Sequence, residues 1–169
     1  MKKLLLLIIL FGLQGYGQKT FVVYNYTAYP VFITDITTSA SGAYPEFSAN
    51  FTSLDPIALN PGDSYMLQNN GHPYRFPFVS LIPNNTYFDT WFRRTSPTTA
   101  TLVSNTAAWV LGSPQVFDRL SFYIYYPIDV SGTVGIASPN LSGPGWSATY
   151  TMLVDSINPN LITYMVVFM

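Results

Sequence analysis

From Thr20 to Met169, apolar and polar positions alternate in short runs and do not recur every three or four residues. Thr, Val, Ile, Tyr and Phe fill these runs, and Pro or Gly interrupts each before a long helix could develop. Such residues fit a pleated, half-buried surface, and period-two runs bounded by turn residues predict strands. The pattern predicts strands over 20–27, 31–37, 64–69, 74–82, 86–94, 99–104, 107–111, 120–127, 133–137, 147–154 and 161–168. Ala28-Tyr29-Pro30 is expected to turn the first pair. In Asn60-Pro61-Gly62-Asp63, Pro presets φ and Gly supplies a positive one. Asn70-Gly71 suits a type I′ hairpin, residues 38–60 read as irregular, and Ser142-Gly143-Pro144-Gly145 reads as a loop. The expected fold is all-β: a single-domain antiparallel β-sandwich of about 8–11 short strands.

Two runs break the alternation of apolar and polar positions. Phe122, Ile124, Tyr126 and Ile128 alternate with Tyr123 and Tyr125; Ile162, Tyr164, Val166 and Phe168 alternate with Met165 and Val167. A strand apolar on both faces is covered on both sides or awaits a partner. The first expectation is a central strand. Self-association through 161–169 is the alternative.

The start of the chain is of another kind. Lys2 and Lys3 precede an apolar run from Leu4 to Phe11, followed by small residues at Gly15-Tyr16-Gly17. This is the layout of a secretory signal peptide over residues 1–17, leaving a sandwich domain over 18–169. A membrane-spanning helix needs about 20 apolar residues, and Gly12, Gln14 and Gly15 interrupt too early, so no transmembrane helix is expected. The expected location is secreted, either periplasmic or extracellular. Without Lys2 and Lys3 the remaining basic residues are Lys19, Arg75, Arg93, Arg94 and Arg119, fewer than the 8 acidic ones. A mildly acidic chain without a basic stripe is a poor fit to nucleic acid. The 0 cysteines exclude a disulfide scaffold and any thiolate metal site. Fold stability must come from burial alone.

Candidate chemistry is sparse. His72 is the single histidine, and no Asp-x-Asp arrangement occurs, so neither a metal site nor a cofactor is expected. Gly145-Trp146-Ser147-Ala148-Thr149 resembles the nucleophile elbow of the α/β-hydrolases, but Thr149 stands where a glycine belongs and no helix is predicted to follow. Glycoside hydrolysis needs two facing carboxyls, and Asp89, Asp118 and Asp129 are scattered singly. Asn-x-Ser/Thr sequons occur at Asn25, Asn50, Asn84 and Asn140.

The most informative constellation lies within 86–94. Tyr87, Asp89, Trp91 and Arg93 share one parity, and Phe88 and Phe92 share the other. With the phenylalanines inward, the first set forms an outward face with an aromatic ring, a carboxylate and a guanidinium, groups that suit a sugar. Trp146, after Gly-Pro-Gly, joins this set as a loop-presented ring, and Trp109 reads as core. The expected function is a secreted, non-catalytic β-sandwich that binds carbohydrate or another cell-surface ligand through Tyr87, Asp89, Trp91, Arg93 and Trp146. The alternatives are a structural subunit of a surface or fibre assembly contacting partners through its C-terminal apolar strand, and a small outer-membrane β-barrel.

Overall fold

The computed structural model describes residues 19–40, 43–49, 56–68, 76–78, 88, 90–112, 115–125, 129–159 and 161–169. The leader over 1–17, the Asn70-Gly71 hairpin, Tyr87 and Asp89 lie outside the described residues. Among those described, the chain order is β1 (Lys19–Asn25), β2 (Val31–Ala40), β3 (Ala43–Ala49), β4 (Ile57–Leu59), β5 (Ser64–Gln68), β6 (Thr90–Ser96), β7 (Thr99–Ser104), α1 (Asn105–Leu111), β8 (Val116–Ile124), β9 (Val130–Gly135), β10 (Asn140–Gly143), β11 (Trp146–Val154) and β12 (Ile162–Phe168).

The strands form two sheets. Sheet A has the order β10-β11-β12-β1-β5, and sheet B has β7-β6-β3-β2-β8-β9 with β4 also paired to β2. Among the described residues all pairings are antiparallel except β1 with β12. An all-β, sandwich-like domain is therefore present. Its interior is apolar, with Phe21, Phe47, Phe117, Phe122, Tyr164, Val166 and Phe168 buried. Rings from the two sheets meet there: Phe21 stacks on Phe117 at 4.5 Å and Phe122 meets Phe168 edge-on at 4.8 Å. Two sheets packed around an apolar core make the sandwich arrangement that the alternation predicts.

Several sequence expectations need correction. Residues 107–111 belong to a helix: the Ser104 side chain accepts from the Ala107 N–H as an N-cap. The stretch read as irregular contains β3 and β4, and the late loop contributes β10. Residues 76–78 lie in a turn, within a run expected to be a strand. The turn at 28–30 does not pair β1 with β2; it carries the chain from sheet A to sheet B.

Asn25 secures that crossing. Its buried amide donates to the carbonyls of Tyr29 and Leu59, each at 2.8 Å, and its Oδ1 accepts from the Thr27 N–H and hydroxyl. The Gly62 N–H in turn donates to the Asn25 carbonyl. Gly62 takes φ +88° in the expected Pro-Gly turn, where the chain returns from sheet B to sheet A. One side chain thus binds both crossings. The sequon at Asn25 is a structural clamp, since its amide is 0% exposed and already committed.

The C-terminal strand is central in sheet A. Each edge of β12 is paired, one with β11 and the other with β1. Tyr164, Val166 and Phe168 enter the core, while Met165 and Val167 lie on the outer face. A partner cannot add a strand to β12.

Candidate functional site

At Trp91 the face predicted for this strand is inverted. Trp91 is 1% exposed and points into the sandwich, paired across to Ala49 of the adjacent strand β3 and on the same face as Phe47. Phe78 and Phe88 meet its ring edge-on, each at 5.2 Å, and its indole N–H donates to Asn105 Oδ1 at 3.0 Å. Phe88 is buried as expected, but Phe92 lies on the outer face, half-buried. Parity puts Arg93 on the expected outward face, where its charge would stay in water. Arg93 instead shares the inner side with Trp91 and pairs across to Phe47 and Thr101 near the sheet's end. It is half-buried, and its Nε is enclosed with no hydrogen-bond partner among the described residues. A long aliphatic stem can lie along apolar surface while the head reaches water, which is why parity alone misassigned this strand. Trp146 is also core: it is 8% exposed, meets Phe122 edge-on at 5.6 Å, and lies against Gly143, where a Cβ would overlap the indole. Trp109 packs against the core, half-buried. Ser147 is the second residue of β11, so the elbow-like motif leads into a strand and not a helix.

The groups suited to a ligand converge elsewhere, on the outer face of sheet B. β2 changes partner along its length, pairing with β4 over Val31–Ile33 and with β3 over Thr37–Ala40. At this change a bulge against β8 leaves Thr34 without an opposite residue and aims Asp35 outward beside Ser121. A second bulge, at Asp118 in β8, sets Arg119 opposite Thr37. Bulges re-aim side chains and gather near functional sites. Here they bring Asp35 and Arg119 to the same face as Glu46 of β3 and Arg94 of β6, which are paired across their strands.

These charged groups form a network. Arg119 bridges Asp118 Oδ2 at 2.6 Å and Glu46 Oε2 at 3.3 Å. The Thr37 hydroxyl donates to Asp35 Oδ2 at 2.6 Å. Burial raises the Asp35 carboxyl above its ordinary value, opposed by the Thr37 hydrogen bond and by the charges of Arg119 and Arg94. Burial lowers Arg119, and its carboxylate neighbours Glu46, Asp118 and Asp35 more than offset this.

Two adjoining depressions occupy this face. One, about 410 Å³, is lined by Thr34, Asp35, Ser48, Ala49, Pro56, Phe92 and Arg94. The other, about 400 Å³, is lined by Phe32, Thr34, Pro56, Tyr123 and Tyr125. Thr34 and Pro56 line both, so the two form one groove with an aromatic end and a charged end. Tyr125 is 61% exposed, and its ring lies 6.0 Å from that of Tyr123. The Tyr123 hydroxyl donates to Asp129, which sits at φ 49°, a left-handed conformation rare for a residue other than glycine. The hydroxyl bond raises the Tyr123 pKa and fixes its ring at the groove mouth.

A third depression, about 330 Å³, lies at the end of sheet A beside Leu153, Val154, Asp155 and Leu161. Its carboxylate, Asp155, already accepts the N–H groups of Ile157 and Asn158. Among the described residues no cluster of His, Cys, Asp and Glu has metal-binding geometry, and no helix is long and apolar enough to cross a membrane.

Tyr123 and Tyr125 stand out in the sequence as part of a run apolar on both faces, but no local pattern connects them with Asp35 or Arg94. The connection depends on strand order, which brings β2, β3, β6 and β8 side by side although they are far apart in the chain. Comparison with protein-family models, with curated proteins and with solved structures gives no match.

Proposed function

We propose that the protein is a secreted, non-catalytic binding module that holds a short carbohydrate along the outer groove of sheet B. The observation that carries this reading is the continuity of the groove from an aromatic platform to a half-buried charge network through Thr34 and Pro56. A sugar offers a C–H face to an aromatic ring and hydroxyls to carboxylate and guanidinium groups. Tyr125 and Tyr123 supply the first; Asp35, Arg94 and Ser48 supply the second. Glu46 and Asp118 are both engaged by Arg119, leaving Asp35 as the carboxyl lining the groove. Hydrolysis of a glycosidic bond uses a pair across that bond, so the arrangement favours holding over cutting.

A glycan array followed by titration calorimetry tests the proposal. Tyr125→Ala and Arg94→Ala should each weaken binding of the best glycan at least tenfold while leaving the melting temperature nearly unchanged. Absence of any glycan ligand, or binding indifferent to both substitutions, would overturn it.

A further inference from the structure

Every open sheet needs a device that stops its edges from pairing with another chain, such as short strands, proline, charge or cover. Most edges here carry one. β4 has three residues between Pro56 and Pro61, and β10 has four between Pro139 and Pro144. β9 contains Gly132 and Gly135 and packs against β10 and β11. β5 has five residues and follows the exposed Asp63.

β7 differs. It has six residues, Thr99 to Ser104, pairs on one side with β6, and has no partner strand on the other among the described residues. It contains no proline, glycine or charge, and most of it is exposed. Leu102 is 53% exposed on the outer face, and Val110 and Leu111 of the helix that follows are also exposed. No Asp, Glu, Lys or Arg occurs between Thr95 and Phe117. A charged partner would find no counter-charge here, and a second copy would meet no like charge.

We propose that β7 is a homodimer edge, pairing antiparallel with β7 of a second copy about a two-fold axis normal to the sheet. Opposite residues of an antiparallel pair share a face, so the axis must pass through one residue and keep parity. Centring on Leu102 sets Leu102 against its own copy on the outer face and Thr101 against Val103 on the inner; centring on Thr101 sets Ala100 against Leu102. Either register joins the two copies of sheet B into one continuous sheet, with both outer faces on the same side. This moves self-association from the C-terminal strand to β7, and it stands whether or not the groove binds a glycan.

The chain's lack of cysteine makes the test clean. Sedimentation of the whole chain over about 1–100 µM should show a species of twice the monomer mass. Leu102→Lys sets two lysines opposite or diagonal to each other and should shift the midpoint of dimerisation at least tenfold upward, with the melting temperature of the dilute monomer unchanged. Under copper-phenanthroline oxidation, Leu102→Cys or Thr101→Cys should form a covalent dimer, and Ser131→Cys on the opposite edge strand, β9, should not. A wild-type chain monomeric throughout the range overturns the proposal. So does a dimer that crosslinks through Ser131→Cys and through neither β7 cysteine.

Discussion

Trp91 and Tyr125 are large aromatic residues with opposite roles. Trp91→Ala removes a ring packed against Phe78 and Phe88 and should destabilise the fold by about 3–5 kcal/mol. Tyr125→Ala, at an exposed position, should stay within about 0.5 kcal/mol. Parallel thermal melts separate the two, and equal losses would contradict the burial assigned here. Asn25→Ala should cost about 3 kcal/mol, because the carbonyls of Tyr29 and Leu59 lose a donor and Thr27 loses its acceptor; urea denaturation measures it. Asp35 makes stability depend on pH. Its folded pKa is raised above 3.8, so its contribution is complete below 3.8 and is lost as pH rises through the folded value. Asp35→Asn should therefore melt higher than wild type at neutral pH, with the gap closing on acidification toward 3.8. A gap that widens on acidification would mean that Arg94 and Arg119 outweigh the desolvation.

Strand existence was legible in the sequence; strand faces and partners were less so. β2, β5, β7, β11 and β12 lie close to where alternation and turn residues put them. The helix was missed because Ala107-Ala108-Trp109-Val110-Leu111 is a short apolar run, and periodicity cannot tell a buried strand from a helical turn over that length. Ser104 before it, an available N-cap, was the overlooked signal. β3 was missed because Pro45 and Glu46 interrupt its apolar pattern. The groove was not readable, since both bulges that build it are mismatches between β2 and β8 and have no signature in either strand alone. One element-level consequence concerns Gly135. A Cβ there would strike the Asp118 carbonyl and the Arg119 Cα, both backbone. Gly135→Ala should push β9 off β8 at the bulge and destabilise by about 1–3 kcal/mol. Chemical denaturation reads the loss, and no change would show that the bulge can relax.

At the scale of the whole molecule, composition and turn spacing identified a cysteine-free sandwich, and the core bears this out with rings from both sheets interlocked. Deleting residues 160–169 should abolish folding. Tyr164, Val166 and Phe168 are buried, each such side chain is worth about 1.5–3 kcal/mol, and the lost pairings with β1 and β11 add to that against a typical stability of about 5–15 kcal/mol. Circular dichroism of the truncated chain checks this; a retained β signal would instead make β12 dispensable to the fold. The parallel pairing of β1 with β12 also governs the order of events during translation. Until β12 is synthesised, sheet A exists as two unjoined parts, β1 with β5 and β10 with β11, because the strand that joins them is made after all four. Contacts this distant along the chain make folding slow, in the millisecond-to-second range of all-β domains. A nascent chain stalled before Leu161 should be cleaved readily by protease, and emergence of β12 should confer resistance in one step. β12 thus acts as a timer, holding sheet A open until it has been made.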